Sequence, residues 1–301
     1  MFVGSYFHRR PDKFKDISNF YRNRLKRLLS FIKIEHTLFT LPMIYSGVFL
    51  ASKERPSNEL LLLVLLASVG ARTVAMTLNR IIDREIDKKN PRTLNRELPS
   101  GKLTLWQVCM VLSAGFILYL TAAWLISDFC FRLSPIPLVV FIIYPYLKRF
   151  TPLAHFGVGL GMAMAPLGGW FAVSGSFDNI ATGLILPVFV LFWGTGFDII
   201  YSTLDETFDR RANLFSFPSR FGKERALQIS AGLHFLAFIA LVVLFFHSLK
   251  GFVAIPPLLL SGLLLYLEQK KADDVELAFF KINILLGFNI FAMVILPSVL
   301  A

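Results

Sequence analysis

The chain has 301 residues and a formal net charge of +11; 55% of its residues are hydrophobic and only 17% are charged. About a quarter of the residues in a typical soluble domain are charged, so this chain has too little polar surface to cover a soluble globule. The same numbers exclude collagen-like, disordered and coiled-coil proteins, and two cysteines cannot build a disulfide scaffold. The composition therefore predicts a polytopic membrane protein.

Nine apolar segments are long enough to cross about 30 Å of hydrocarbon. In chain order they are residues 34–52, 59–80, 104–126, 131–147, 153–174, 180–202, 226–247, 251–267 and 277–298. They should be helices, because an open strand cannot satisfy its backbone hydrogen bonds in lipid. We therefore expect an all-α fold in which residues 1–301 form a single transmembrane domain.

The N-terminal segment differs from these spans. Residues 1–30 lack the continuous apolar core of a signal peptide. Residues 17–31 mix aromatic, leucine and basic side chains, a pattern typical of an amphipathic helix at the membrane interface. We interpret residues 1–32 as a cytoplasmic interfacial tail.

The basic residues are distributed unevenly between the two sides of the predicted membrane. The N-terminal tail and the loops that follow even-numbered spans hold 26 of the 31 Lys and Arg residues. The loops that follow odd-numbered spans hold four. This asymmetry predicts a cytoplasmic N-terminus and an external C-terminus. The charge excess therefore indicates topology rather than nucleic-acid binding. Cys109 and Cys130 fall on opposite sides, so we expect no disulfide between them.

Two acidic clusters lie at the predicted cytoplasmic ends of spans two and six. Their members are three or four residues apart, which places each cluster on one helix face. The first cluster is Asn79, Asp83 and Asp87, and the second is Asp198, Tyr201, Asp205 and Asp209. If the two faces meet, they form an oxygen-rich site in a membrane cavity. Hard oxygen ligands favour Mg²⁺ or Ca²⁺, and Mg²⁺ usually shares its ligands with substrate phosphates.

Basic residues surround both clusters, which suggests a metal-bound phosphate or diphosphate as the ligand. They are Arg72, Arg80, Arg84, Lys88, Arg92, Arg96, Lys148, Arg149, Arg211 and Arg220. His36 and His155 also fall near this site, but the pattern assigns them no role. Ordinary salt bridges at helix ends would explain one such cluster more easily than two on the same side.

Two classes of protein without this chemistry remain as alternatives. A secondary transporter or ion carrier places charged groups near the middle of the bilayer, whereas only Arg72 lies deep in a predicted span. A structural scaffold leaves the paired acidic faces unexplained. Small residues along span five, from Gly157 to Gly169, include a GVGLG string. No strand precedes it, so we interpret it as close helix packing rather than a nucleotide-binding loop.

Four sets of motifs resemble those of the UbiA superfamily of intramembrane prenyltransferases, and they occur in the family's order. They are KIEHTLFTLP at 33–42, NRIIDREID at 79–87 followed by NRELPSGKLT at 95–104, YPYLKRFTP at 144–152, and DIIYSTLDETFD at 198–209 followed by FSFPSRFG at 215–222. The resemblance covers most of the chain from about residue 30. It implies about nine transmembrane helices around a central cavity.

The resemblance also implies an activity: Mg²⁺-dependent transfer of a polyprenyl chain from polyprenyl diphosphate to a small aromatic acceptor within the lipid bilayer. It assigns metal binding to Asn79, Asp83, Asp87, Asp205 and Asp209. It assigns diphosphate binding to Lys33, Arg72, Lys148 and Arg149. Asp198, with Tyr201 beside it, would lie nearer the acceptor and take part in catalysis.

The string DRRANLFSFPSRFG and the pair Asn79-Arg80 look most like the 4-hydroxybenzoate polyprenyltransferase group, including its futalosine-pathway menaquinone variants. This implies a role in ubiquinone or menaquinone biosynthesis in the bacterial inner (plasma) membrane, with the site open to the cytoplasm. Another acceptor remains an alternative. One departure is Asn213, where many members have Gly; Asn tolerates a left-handed backbone, so we expect a small effect.

Overall fold

The computed structural model describes residues 28, 30, 31, 37–249, 251–275 and 277–300. Within these residues, eight helical segments are long and apolar enough to cross a membrane, and the apolar helix Thr40–Ala51 is shorter. The prediction of an all-α, polytopic membrane protein is therefore confirmed. Most of the predicted interfacial helix at 17–31 falls outside the described residues.

The described helices number thirteen, and short helical pieces join some of them. They are α1 (Thr37–Ala51), α2 (Asn58–Ile82), α3 (Arg84–Lys89), α4 (Leu105–Ile126), α5 (Asp128–Leu133), α6 (Pro135–Leu147), α7 (Ala154–Ser174), α8 (Ile180–Ser202), α9 (Glu206–Arg211), α10 (Phe217–Phe221), α11 (Lys223–Leu244), α12 (Ile255–Lys270) and α13 (Asn283–Leu300). The joining pieces are 3-10 turns at Thr203–Asp205 and Phe252–Ala254 and π-helical turns at Phe245–Leu249 and Leu277–Ile282.

Side-chain caps fix several helix starts near the polar end of the molecule. Thr104 and Gln107 form a reciprocal capping box at the start of α4. Ser216 and Ser219 form another at the start of α10. Each box satisfies backbone N–H groups that the first turn would otherwise leave without partners. The loops carrying the motif residues therefore enter and leave the membrane at defined points.

Close backbone approaches join α7 to both of its neighbours. A Cβ added at Gly159 would lie 2.4 Å from the carbonyl oxygen of Leu191 in α8. A Cβ added at Gly169 would lie 2.1 Å from the carbonyl oxygen of Ile44 in α1. A Cβ added at Gly47 in α1 would lie 2.0 Å from the carbonyl oxygen of Pro166 in α7. The small residues of α7 thus allow close helix packing, as the sequence predicts.

A second packing region holds α8 against α11, α12 and α13. Trp193 is fully buried, stacks on Phe189 and donates from Nε1 to Asn283 Oδ1 at 2.7 Å. Asn283 in turn donates from Nδ2 to Glu268 Oε1 at 2.9 Å. These buried polar contacts fix the position of α8, whose far end carries the second acidic motif.

Candidate active site

The first acidic motif lies where α2 ends and α3 begins. Asp83 is the residue between the two helices, with φ −93° and ψ 2°, yet its backbone N–H still bonds to Asn79 O and Asp87 N–H bonds to Asp83 O. The helical register therefore continues through the break. Asn79 Nδ2 donates to Asp83 Oδ2 at 3.2 Å, and the side chains of Asp83 and Asp87 are buried. The predicted common face is confirmed.

The second motif has a similar construction. Asp198 and Tyr201 lie in the last turns of α8, Asp205 ends the 3-10 turn and Asp209 lies in α9. Beyond α9, Asn213 adopts a left-handed backbone with φ 53°, a conformation that Asn tolerates better than most residues. The change of direction at Asn213 brings Ser216 within hydrogen-bonding distance of Asp209.

The loop 90–103, between α3 and α4, joins the two motifs. Asn90 Nδ2 donates to Asp205 Oδ1 at 2.8 Å, and Arg92 binds both carboxylate oxygens of Asp205. Arg92 Nη1 also donates to the Tyr201 hydroxyl at 2.8 Å. From the same loop, Arg96 Nη1 donates to the Asp87 carboxylate at 2.9 and 3.0 Å. The two motifs therefore meet at one end of the helix bundle.

The predicted basic loop after α6 contacts the first motif. Lys148 Nζ lies 2.6 Å from Asp83 Oδ2, and Arg149 Nη2 lies 3.4 Å from Asp83 Oδ1 and 2.8 Å from Ile82 O. Burial raises the pKa of Asp83 above its usual range, while Lys148 and Arg149 oppose that shift. Positive charge around this carboxylate is therefore needed to keep it ionised.

The pKa of Arg92 is also shifted, although in the direction that preserves its charge. Burial alone would lower the pKa of the guanidinium, but its hydrogen bonds to Asp205 and its proximity to Tyr201 raise the pKa above its ordinary value. Arg92 therefore stays cationic at any physiological pH.

Asp198 has a partner that the sequence pattern did not assign. His155 Nδ1 lies 2.7 Å from Asp198 Oδ2, and His155 Nε2 accepts a hydrogen bond from the Phe217 backbone N–H at 3.4 Å. Because Nε2 is an acceptor, the neutral imidazole carries its proton on Nδ1, and this N–H donates a hydrogen bond to Asp198. The only sequence signal for this pair was the position of His155 just after the basic loop.

A cavity of about 490 Å³ opens from this polar region into the bundle. Four predicted site residues line it: Arg72, Asn79, Asp198 and Tyr201. Its α2 wall runs from Val64 to Arg80, about 24 Å at the rise of an α-helix. Apart from Cys130, Ser134 and Tyr119, the deep end is lined mainly by apolar side chains such as Ile126, Leu133 and Ile136.

The structure also shows how the other predicted residues relate to that cavity. Asp83, Asp87 and Asp205 lie just outside its lining. Asp83 bonds to Asn79 and Asp87 bonds to Arg96, both of which line the cavity, and Asp205 bonds to Arg92, which contacts the lining residue Tyr201. Tyr144, which sequence analysis missed, lines the cavity and hydrogen-bonds with Asn79. Lys33 and His36 lie outside the described residues.

The donor set fits a divalent cation by its chemistry. Carboxylate and amide oxygens are the ligands that Mg²⁺ prefers, and both motifs supply them at one place. In the part of the chain that the structure describes, no three His, Cys, Asp or Glu side chains are close enough together to form a ready-made metal site. Instead, Asp83, Asp87 and Asp205 each contact a basic side chain.

The two free cysteines differ in position and form no disulfide in the structure. Cys130 lines the deep end of the cavity, while Cys109 lies in α4 near the end that starts at Leu105. This agrees with the prediction that they lie towards opposite membrane faces.

Comparison with known proteins identifies the family. The model of the UbiA prenyltransferase family matches residues 40–285. The chain belongs to the UbiA prenyltransferase family. It is therefore a membrane prenyltransferase, and the transporter and scaffold alternatives are not supported.

Individual UbiA-family relatives match over nearly their whole length. A 4-hydroxybenzoate octaprenyltransferase from Haemophilus ducreyi is 27% identical over 280 residues, which is 89% of this chain and 98% of the relative. A protein of the same name from Herminiimonas arsenicoxydans is 25% identical over 282 residues, covering 91% and 98%.

Solved structures of UbiA homologues share the fold. The apo structure of a homologue from Aeropyrum pernix K1 has a TM-score of 0.82 and 32% identity, and the match covers 88% of this chain and 98% of that one. A homologue from Archaeoglobus fulgidus, bound to DMAPP and Mg²⁺, has a TM-score of 0.69 and 21% identity, covering 89% and 99%.

Proposed function

We propose that this UbiA-family enzyme transfers a polyprenyl chain from polyprenyl diphosphate to a ring carbon of an aromatic acceptor such as 4-hydroxybenzoate, with Mg²⁺ as cofactor. The proposal includes a role in ubiquinone or menaquinone biosynthesis at the bacterial inner membrane. The observation that carries it is the meeting of both acidic motifs at the polar mouth of a long cavity that becomes largely apolar with depth.

The diphosphate, which is the leaving group of the substrate, would bind beside the carboxylates of the two motifs. Asn79, Asp83 and Asp87 would hold one Mg²⁺, and Asp205 and Asp209 another. Bound Mg²⁺ would stabilise the negative charge that develops on the diphosphate as its bond to the prenyl carbon breaks. The DMAPP and Mg²⁺ bound to the Archaeoglobus fulgidus homologue support the use of a prenyl diphosphate together with Mg²⁺.

Basic side chains at the same end supply further positive charge to the diphosphate. Lys148 and Arg149 approach the site from the loop after α6, and both are partly exposed. Lys33 completes the proposed diphosphate-binding set with Arg72, although Lys33 lies outside the described residues. Arg72 lies about 10 Å deeper along α2 than Asn79, so it can also reach an acceptor in the cavity.

The cavity suits the reactive half of the substrate. Breaking the bond between the prenyl carbon and the diphosphate oxygen leaves an allylic carbocation, and water would quench it. The apolar deep walls exclude water and leave room for the hydrocarbon chain. An electron-rich ring carbon, ortho to a phenol oxygen, then forms the new carbon–carbon bond.

Asp198 would take the proton that leaves the ring after that bond forms. It lines the cavity, and the Nδ1–H of His155 orients one of its carboxylate oxygens. The hydroxyl of Tyr201, one turn further along α8, also lines the cavity mouth. Asp198 thus acts as the catalytic base, His155 as its positioning residue, and Tyr201 as a contact for the substrate.

The acceptor assignment rests on the relatives' names and on the charge of Arg72. An acceptor carboxylate buried in a largely apolar cavity needs a cationic partner. Arg72 is the deepest basic side chain among the cavity-lining residues and lies beside Tyr144. A benzoate acceptor would therefore place its carboxylate at Arg72 and its phenol ring toward Asp198.

The test is a comparison of acceptors with purified protein in nanodiscs. We expect ring-prenylated product from 4-hydroxybenzoate and much less from 4-hydroxybenzamide, which has no carboxylate. Arg72→Gln should raise the KM for 4-hydroxybenzoate. It should also reduce the difference in product yield between 4-hydroxybenzoate and 4-hydroxybenzamide. Equal use of both acceptors by the wild type would contradict a carboxylate-bearing acceptor and favour another member of the aromatic class.

A further inference from the structure

Two of the carboxylates proposed to hold metal, Asp87 and Asp205, are bound by arginines from a single loop. Arg92 contacts both oxygens of Asp205, with its Nε 2.8 Å from Asp205 Oδ1. Arg96 Nη1 lies 3.0 Å from Asp87 Oδ1 and 2.9 Å from Asp87 Oδ2. Each arginine therefore occupies the oxygen atoms through which its carboxylate would bind a cation.

The loop that carries these arginines is anchored independently of them. Leu98 and Leu103 are buried with Val108 of α4 in a small apolar cluster. Thr93 Oγ1 donates to the backbone oxygen of Asp87 at 3.0 Å. Because these contacts do not involve either guanidinium, the arginine side chains can change partners while the loop backbone stays in place.

Both arginines lie at the boundary between the carboxylates and the cavity mouth. Their side chains are 30% and 25% exposed, so neither guanidinium is sealed in the interior. Arg96 lines the cavity, and the guanidinium carbon of Arg92 lies 5.0 Å from the centre of the Tyr201 ring, which also lines it. A diphosphate at the mouth would therefore lie within reach of both side chains.

We propose that Arg92 and Arg96 are placeholders for the metal cations. In the metal-free protein they neutralise Asp205 and Asp87; when divalent cations bind these carboxylates, the two guanidinium groups turn to the incoming diphosphate. This inference rests on the metal and diphosphate sites of the proposed function, and it adds an order of events and a role for two residues.

The chemistry of the guanidinium group supports the exchange. Its planar fork of N–H donors matches a carboxylate and a phosphate equally well. Carboxylates left together without counter-charge would repel each other, so the arginines stabilise the metal-free state. The exchange keeps every charge paired, because each guanidinium loses a carboxylate and gains a phosphate as the cation arrives.

The exchange has a consequence that an ordinary salt bridge lacks. An arginine that must leave before the cation enters weakens cation binding, whereas an arginine with only a structural role helps to keep the site in shape. Removing a placeholder should therefore tighten cation binding and weaken diphosphate binding. By linkage, it should also reduce the extent to which each ligand strengthens the binding of the other.

The experiment measures cation binding without substrate. Mn²⁺, as a probe for Mg²⁺, is titrated by calorimetry into the purified full chain and into its Arg92→Gln and Arg96→Gln variants. We expect Mn²⁺ affinity to increase by about tenfold or more in each variant, since a charge-assisted hydrogen-bonded pair no longer has to break. Arg132→Gln removes an exposed ion pair with Asp128 and should leave Mn²⁺ affinity unchanged.

A second arm measures inorganic pyrophosphate binding at saturating Mn²⁺. Both loop variants should bind pyrophosphate about tenfold or more weakly than the wild type, because a charge-assisted contact to phosphate is lost. Arg92→Lys keeps the charge but not the fork, and its Mn²⁺ affinity should fall between those of the wild type and Arg92→Gln. Thermal unfolding of each variant confirms that it is folded.

The outcomes separate the two levels of the proposal. Wild-type protein that binds Mn²⁺, with folded loop variants that bind it equally or more weakly, would overturn the placeholder role and leave the proposed function intact. Folded wild-type protein that binds no Mn²⁺, with or without pyrophosphate, would contradict the metal site of the proposed function itself. Tighter Mn²⁺ binding together with weaker pyrophosphate binding supports the exchange.

Discussion

At the scale of single residues, Asp83 has the most demanding environment of the candidate site. Its side chain is 3% exposed and contacts Lys148 and Arg149. A buried carboxylate of this kind holds its charge only because positive groups surround it. The proposed metal-binding role of Asp83 and its effect on stability can therefore be tested by one isosteric change.

Asp83→Asn should lower the rate of prenyl transfer by about 100-fold or more, the typical cost of losing one charge-stabilising contact in a transition state. Lys148 also loses its anionic partner, so the thermal midpoint should fall. Product formation by mass spectrometry and a thermal melt measure the two effects. Asp128→Asn, an exposed change at the other end of the bundle, should change neither rate nor midpoint.

The His155–Asp198 pair gives a second prediction. His155→Phe keeps a ring at this position but has no N–H to orient Asp198. The base itself remains, so kcat should fall by about tenfold or more, a part of the roughly 10²–10⁴-fold that a general base contributes. The KM for prenyl diphosphate should stay within about twofold, since His155 only positions the base. Steady-state kinetics with varied prenyl diphosphate measure both. A raised KM with unchanged kcat would mean that His155 acts in diphosphate binding instead.

The sequence predicts which residues carry the chemistry but not which side chains hold those residues in position. Asn79, Asp83 and Asp87 were found because their spacing repeats within one helix, where distance along the chain determines distance in space. The partners Arg92 and Asp205 are 113 residues apart, and His155 and Asp198 are 43 apart. Such pairs depend on helix packing, which the pattern of a single sequence does not encode.

At the scale of elements, the crossing of α1 and α7 depends on glycine. Gly169→Ala would place a Cβ about 2.1 Å from the carbonyl oxygen of Ile44, whereas nothing lies within 4 Å of a Cβ added at the adjacent Gly168. A backbone carbonyl cannot rotate away as a side chain can. The two neighbouring glycines therefore differ in whether they can be replaced by a larger residue, although the sequence alone does not distinguish them.

Gly169→Ala should therefore destabilise the protein by about 1–3 kcal/mol, the usual cost of overpacking. Gly168→Ala, the matched control, should stay within about 0.5 kcal/mol of the wild type. Thermal unfolding midpoints of the wild type and the two variants, measured in detergent and again in lipid, rank the three proteins by stability. Equal midpoints for the two variants would show that α1 and α7 pack less closely than the structure indicates.

Helix positions were predictable where long apolar runs met the length of a membrane span. The second predicted segment, 59–80, corresponds to α2 at Asn58–Ile82, and the sixth, 180–202, to α8 at Ile180–Ser202. The breaks at Asp83 and Thr203 were not predicted, because helical periodicity continues through both. Both interruptions fall within the acidic motifs: Asp83 separates α2 from α3, and Asp205 ends the 3-10 turn that begins at Thr203.

At the scale of the whole molecule, the proposed orientation in the membrane can be tested directly. The distribution of Lys and Arg predicts that the end carrying both motifs faces the cytoplasm. Lys88 is exposed at that end, and Glu54 is exposed in the loop between α1 and α2 at the other. Changing these two residues to cysteine provides probes for opposite membrane faces.

In a background with Cys109→Ser and Cys130→Ser, Glu54→Cys should react with a membrane-impermeant maleimide in intact cells. Lys88→Cys should react only after the cells are lysed. Gel-shift labelling measures both variants side by side. The reverse pattern would contradict the cytoplasmic site and would place the diphosphate-binding end outside the cell.

The general architecture was accessible from sequence because hydrocarbon thickness and charge asymmetry act on whole segments. The cavity was not predictable, since its walls come from α1, α2 and α4 to α8 together, and its volume depends on how closely those helices approach one another. Small residues in α7 indicated close packing but could not show which space remains open.

The central claim is that both acidic motifs act together to break the bond between a prenyl group and its diphosphate. Its most direct test is pyrophosphate release and ring-prenylated product from geranyl diphosphate, 4-hydroxybenzoate and Mg²⁺, with the wild type, Asp83→Asn and Asp205→Asn compared in nanodiscs. The account predicts turnover by the wild type that either substitution or a chelator abolishes. Undiminished turnover by folded Asp205→Asn, or turnover in excess chelator, would contradict it.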